Sequence, residues 1–195
     1  MADEGRDFDR VAHWEKVYST KQTTEVSWFE AEPTTSLDLI DRFVPQGGRI
    51  IDVGGGASFL VDRLVAKGTW EVTVLDIASS AIEHARKRLA ENAGKVHWLC
   101  DDITESTRLA KYDIWHDRAV FHFLTNTEDR QAYLSRLNES IVLGGYFFVA
   151  TFAPDGPEKC SGLPVCRYSV DQIENVLGRG FKLVSNAKFG HMTPT

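Results

Sequence analysis

Four acidic residues close short apolar runs along this chain: Asp52, Asp76, Asp102 and Asp117. Asp52 lies just ahead of Gly54, Gly55 and Gly56, inside the stretch RIIDVGGGASFL from 49 to 60. Glycines let the backbone turn sharply and let a ligand approach main-chain N–H groups that a Cβ would block. A carboxylate at that place repels a phosphate arriving at the following helix N-terminus and welcomes a cationic head group. A dinucleotide fingerprint requires a third glycine where Phe59 stands, and a P-loop requires a Gly-Lys-Ser/Thr ending that is absent. Asp76 follows Gly56 by about 20 residues, the separation at which an acid reaches ribose hydroxyls. Each acid taken alone reads equally as a loop residue or a helix cap.

S-adenosylmethionine, a sulfonium and an ammonium beside an adenosine, fits this charge pattern. Asp102 can accept from an adenine amino group, with Ile77 and Ile103 over the ring faces. Methyl transfer from a sulfonium is an in-line displacement, so a protein chiefly positions the nucleophile and excludes water. His116 and His122 bracket the end of the fourth apolar run, and either can serve as a general base at neutral pH or simply be a hydrogen-bonded core histidine. Arg118 can hold a thiolate or a carboxylate, or pair with Asp117. Cys160 and Cys166 can contact a soft sulfur, selenium or metalloid substrate or stay inert. His191 is too near the chain end to place.

The elements that position these residues follow from periodicity. Phe8, Val11, Trp14 and Tyr18 have helical spacing. A polar stretch with Thr23 and Thr24 follows, then Trp28 and Phe29, which are either core staples or part of a lid over a bound ligand. Pro33 and Ser36 introduce a second helix with Leu37, Ile40 and Phe43 inward. Strands are expected at Ile50–Asp52, Glu71–Ile77, Val96–Ile103, Tyr112–Val120, Tyr146–Phe152 and Phe181–Ala187. The fifth, YFFVATF, is apolar enough to be buried on both faces. Helices alternate with them, including Thr127–Ile141 and a helix opened by a Ser169/Gln172 capping box. The connection 153–168 is long enough to be functional. Such alternation gives an α/β, doubly wound, mostly parallel sheet with helices on both faces, and ligands sit at the strands' carboxyl ends.

The chain has 195 residues, which reads as a single domain, with 1–45 a helical lid region and 46–195 the core. A formal net charge of −6 speaks against a nucleic-acid surface and offers nothing to an anionic membrane. Three cysteines without a CxxC pair indicate neither a disulfide framework nor a zinc knuckle, and no metal is expected. The hydrophilic start MADEGRDFDR is no secretory signal, so a cytoplasmic location is expected.

On the residues IDVGGGAS, LDI and DDI, the chain resembles the class I, seven-strand, Rossmann-like S-adenosylmethionine-dependent methyltransferases. Within that class, Trp115-His116-Asp117-Arg118-Ala119 followed by Asp129-Arg130 and Tyr133 is similar to the thiopurine methyltransferase branch, as is the Gly-Leu-Pro segment after the fifth strand. The resemblance implies S-adenosylmethionine as cofactor, S-adenosylhomocysteine as product and Trp14 and Trp28 closing over the donor. It implies Asp52, Gly54, Gly55, Gly56, Asp76, Ile77, Asp102, Ile103 and Asp117 around the donor, and a small thiol or other chalcogen compound as acceptor. Phe29, Arg118, His122, Cys160 and Cys166 would then meet the acceptor, with His122, His116, Asp117 and Arg118 as the catalytic candidates. It also implies a seventh, antiparallel edge strand, and the sequence stops at Gly190-His191-Met192-Thr193-Pro194-Thr195, short of one. A protein lysine N-methyltransferase and a non-catalytic donor-binding module are the alternatives; a nicotinamide oxidoreductase is disfavoured by Asp52 and Phe59.

Overall fold

The computed structural model describes residues 8–20, 26, 28–106, 109–118 and 120–190; Thr23, Thr24, Ala119 and His191 lie outside them. Two helices come first, α1 (Arg10–Thr20) and α2 (Thr34–Phe43). The alternating core follows: β1 (Gly48–Val53), α3 (Leu60–Lys67), β2 (Trp70–Asp76), α4 (Ser79–Leu89), β3 (Val96–Cys100), β4 (Tyr112–Arg118), α5 (Thr127–Ser140) and β5 (Ile141–Ala150). A short hairpin, β6 (Lys159–Cys160) with β7 (Leu163–Pro164), precedes α6 (Val170–Leu177).

The five main strands are all parallel, in the order β3-β2-β1-β4-β5. Alternate side chains of the central strands build two cores. Ile50, Val72, Val74 and Ile114 pack with Ile40 of α2, with Leu60, Val61 and Leu64 of α3, and with Ala85 and Leu89 of α4. Ile51, Val53, Leu75 and Trp115 pack with Tyr133 and Leu137 of α5 on the other face, where Ile173 and Leu177 of α6 join them. Parallel strands need both faces covered, and the period-two alternation supplies each face with its own apolar set.

Local chemistry sets the helix ends. Gly68 closes α3 in the left-handed conformation, Asn126 caps α5 through its side chain, and Ser169 with Gln172 forms the expected reciprocal capping box of α6. The 153–168 connection turns on Ser161 and Gly162, both at positive φ, as a two-residue hairpin requires.

Three expectations are corrected. The fifth strand begins at Ile141 rather than Tyr146, with a register shift against β4 around Gly144 (φ +80°), and its residues are half-buried or exposed rather than sealed on both faces. Its place at the end of the strand order explains this, since one flank has no neighbouring strand among the described residues. Phe181–Ala187 is not a strand. Phe181 packs on Phe147, but the segment has no ladder partner to accept its backbone groups. The third strand also stops early, at Cys100.

Candidate functional site

Parallel registration brings the strand-end groups to one rim: Asp52 stands level with His116, Val53 with Asp117, and Asp76 with Cys100. After β1 the chain turns at Gly54 (φ +71°), whose N–H bonds to the Leu75 carbonyl at 2.7 Å. A Cβ on Gly55 would lie 2.2 Å from Asp52 Oδ2, so the bare main chain lets the carboxylate lie against the turn. Asp52 Oδ1 receives His116 Nδ1 at 2.7 Å, and His116 Nε2 meets Ser36 Oγ at 2.9 Å. Asp52 Oδ2 is buried with no hydrogen-bond partner.

Asp76 accepts from Gly56 N at 3.0 Å and from Ala78 N at 2.9 Å. Burial raises its carboxyl to about 6 against the pull of those two N–H groups, and the charges of Asp52 and Glu15 push the same way. Ionised oxygens accept more than one hydrogen bond each, so Asp76 keeps capacity for a diol.

The N-terminal segment covers this floor. Trp14 meets Trp28 edge-on with centroids 5.7 Å apart and Phe123 at 5.1 Å, and Trp14 and Trp28 pack on Tyr18, Ala57, Ala78 and Ala81. Burial, then the Asp76 charge, pushes the Tyr18 phenol well up, so it stays a neutral donor. Arg118 holds the segment from below, donating to the Trp28 carbonyl at 2.7 Å and pairing with Glu30 at 3.1 Å. Phe29 meets Phe59 edge-on at 5.7 Å, and the Arg88 guanidinium sits 4.1 Å over the Phe59 ring. Tyr18, Trp28, Phe29, Asp52, Gly54, Gly55, His116 and Arg118 enclose a cavity of about 30 Å³, room for a water or two. A nucleoside-sized molecule enters only if the cover moves.

Other expected residues stand apart from that cavity. Asp102 pairs with Arg10 of α1 at 3.1 Å and caps Thr104, bonding its N–H at 2.8 Å and its hydroxyl at 2.7 Å. Ile77 is half-buried at the rim, while Ile103 belongs to the core on the α5 face. Asp117 turns into that same core: it takes the Tyr133 hydroxyl at 2.6 Å and the N–H groups of Val120 (2.8 Å) and Phe121 (3.1 Å). Burial raises it to about 6 as well, against these donors. Arg118 is paired with Glu30, not with Asp117.

His122 is sealed between aromatic rings, 4.4 Å from Phe123 and stacked at 4.9 Å on Phe152, with neither ring nitrogen bonded. Burial lowers its imidazole to about 4, so it is neutral at pH 7 and a weak proton acceptor. General bases work best with a pKa near the working pH, which argues against His122 in that role. The two loop cysteines do not converge on one place. Cys160 is half-buried in the β6–β7 hairpin. Cys166 lies 3.9 Å from Arg130 Nη1, in a separate open groove of about 610 Å³ beside Tyr168, Gln172 and Val176.

Ser36, Tyr18 and Glu30 join the site without having been singled out for it. Ser36 reads as a helix start and Tyr18 as one more apolar step of a helix. Phe59 was noted only as the glycine that is missing. No local pattern marks such contacts, which cross 80 or more residues in the cases of Ser36–His116 and Trp28–Arg118.

Comparison with known proteins agrees with the fold. Residues 51–147 match the family model of a methyltransferase domain. A malonyl-[acyl-carrier protein] O-methyltransferase of Anoxybacillus flavithermus is 30% identical over 63% of this chain and 47% of its own length. The human EEF1A lysine methyltransferase 2 is 21% identical over 88% of this chain and 74% of its own. The crystal structure of Burkholderia thailandensis 1,6-didemethyltoxoflavin-N1-methyltransferase, with bound 1,6-didemethyltoxoflavin and S-adenosylhomocysteine, superposes with a TM-score of 0.69 at 17% identity, covering 86% of this chain and 74% of that one. The chain spans about half the length or less of the first two curated relatives it matches, 47% and 40%. Among the described residues no helix is long and apolar enough to cross a membrane, and no group of three His, Cys, Asp or Glu is placed to hold a metal ion. From residue 51 to residue 147, on a parallel Rossmann-like sheet, this chain is similar to a methyltransferase domain.

Proposed function

We propose that the chain is an S-adenosylmethionine-dependent methyltransferase acting on a small nucleophile, with thiols and other chalcogen compounds the first acceptor class. The observation that carries the donor is Asp52 Oδ2, a buried carboxylate oxygen with no protein partner, on the wall of a cavity floored by bare glycine main chain. A buried unpaired carboxylate oxygen is costly unless a cation or donor meets it, and an ammonium beside a sulfonium does so. Asp52 would hold the ammonium, Asp76 the ribose hydroxyls, Asp102 the adenine amino group, and Ile77 the ring edge. Trp14 and Trp28 would cover the donor and exclude water. When bound, S-adenosylmethionine supplies a methyl group already activated for displacement.

The acceptor class follows from what the chain does not offer. His116 is committed to Asp52 and Ser36, and His122 is a weak base in an apolar sleeve. An acceptor that brings its own lone pair near neutral pH suits such a site, and a thiol of ordinary pKa about 8.5 does so more readily than a protonated amine. Phe29, Arg118 and Cys160 lie where such an acceptor would approach. A protein lysine N-methyltransferase is the second reading, favoured by the alignment with the human lysine methyltransferase along most of this chain.

Calorimetry with S-adenosylmethionine and S-adenosylhomocysteine, then a homocysteine-release assay, tests both halves. The acceptor panel is hydrogen sulfide, methanethiol, aromatic thiols, small amines, carboxylates and protein lysate. Turnover on thiols is expected. Turnover confined to a lysate protein moves the assignment to the lysine reading, binding without turnover to a non-catalytic module, and no heat with either nucleoside ends the donor assignment.

A further inference from the structure

Ser36, His116 and Asp52 come from α2, β4 and β1 and form one buried line, with the His116 and Asp52 side chains 7% and 3% exposed. The distances, 2.9 and 2.7 Å, are those of a Ser-His-Asp nucleophile, and the chemistry is not. Ser36 is buried and does not line the cavity, so no substrate atom reaches its hydroxyl. The reactive end of this line is the other one, because Asp52 and His116 both line the cavity and Asp52 Oδ2 is the oxygen without a partner.

We infer that Ser36 and His116 are positioning residues that fix the Asp52 carboxylate so that Oδ2 faces the ammonium end of the adenosyl donor; this rests on the donor reading above. The terminal torsion of an aspartate is broad and nearly two-fold, so a lone carboxylate at this turn swaps or tilts its oxygens freely. Bonding to a carboxylate makes His116 Nδ1 the donor. In the neutral ring Nε2 then accepts the Ser36 hydroxyl proton, and the imidazole is pinned at both ends. A pinned ring holds Oδ1, and the planar carboxylate thereby aims Oδ2. Because Ser36 belongs to the N-terminal helices, the relay also ties the cover to the floor: displacing α2 removes the hydroxyl and frees the ring.

Two ligands and two substitutions separate aiming from mere support. S-adenosylhomocysteine carries the ammonium and 5′-methylthioadenosine lacks it. His116→Asn keeps an N–H near the Nδ1 position, whereas His116→Gln reaches toward Ser36 and leaves Oδ1 without its donor. By calorimetry on the full chain, H116Q should weaken S-adenosylhomocysteine by about tenfold and methylthioadenosine by less than about twofold, with H116N restoring most of the loss. Equal weakening of both ligands, or no change with either, overturns the relay. If H116Q does not fold, Ser36→Ala carries the test, with a loss of about threefold expected for the ammonium-bearing ligand alone. Ring nitrogen NMR of the wild-type chain needs no ligand: protonated Nδ1 with bare Nε2 supports the relay, and the opposite tautomer overturns it. A wild-type chain that shows that Nδ1–H tautomer and binds neither nucleoside fails the donor reading and overturns the aiming with it, leaving only the hydrogen-bonded line.

Discussion

Asp76 and Asp117 end the two strands that flank β1, and by position they are twins. Both are buried, both accept two backbone N–H groups, and burial raises both to about 6. They differ in what completes their hydrogen bonding. Asp117 is closed off by the Tyr133 hydroxyl, which itself takes the Trp115 indole N–H at 2.8 Å, and the whole cluster sits in the core beneath α5. Among the described residues Asp76 has only main-chain donors, and it sits against the glycine turn at the end of the strand next to β1. A perturbed carboxyl at a strand end therefore does not by itself mark a ligand site. What sets Asp76 apart is acceptor capacity left open beside the glycine turn.

Substitution should pull the twins apart. Asp117→Ala strands the Tyr133 hydroxyl and two N–H groups, and should cost about 3–5 kcal/mol in urea unfolding. A loss below about 1 kcal/mol would make Asp117 a free group after all. Asp76→Ala should weaken S-adenosylhomocysteine about 100-fold by calorimetry, roughly 2.7 kcal/mol, with a smaller loss of stability. Unchanged affinity would remove it from the site. Gly55→Ala forces a Cβ onto the buried Asp52 Oδ2 and should weaken the same ligand about tenfold, with some loss of stability as well.

The pH dependence sharpens the contrast further. Both carboxyls are raised from 3.8 to about 6, so between those values the folded chain holds more protons than the unfolded one. Their stabilising contribution is full below the lower value and falls as pH rises through the window. Ligand affinity should run the other way, rising severalfold from pH 5 to pH 7 as Asp76 ionises and gains acceptor capacity. A flat affinity profile over that range breaks the assignment of Asp76. Smallest of all, Cys166→Ser should change ligand affinity by less than about twofold, because its groove is separate from the cavity.

The floor of the site was legible in the sequence because it is local. Asp52, the glycines and Asp76 lie within one strand–turn–helix–strand unit, where spacing along the chain fixes spacing in the fold. The parallel sheet with helices on both faces was legible for the same reason, whereas sealing of the fifth strand on both faces was not. What periodicity cannot carry is the identity of partners across the fold. His116 and His122 each read as a base or a core histidine, and only the fold puts His116 on Asp52 and Ser36 and His122 between Phe123 and Phe152; Arg118 reads as an acceptor clamp or a partner of Asp117, and it holds Glu30. Phe181–Ala187 has β propensity but no sheet edge to pair with among the described residues.

Ion pairs fasten the cover alongside its aromatic packing: Arg10 bridges Asp102 and Asp129, and Arg118 grips Glu30. These ion pairs are part-exposed, so dissolved electrolyte weakens them. Under the proposed function, a spent nucleoside beneath such a clasp would leave at the clasp's own opening rate. Raising ionic strength should then hasten multiple turnovers while leaving the first one unaltered, a burst that flattens as sodium chloride is added.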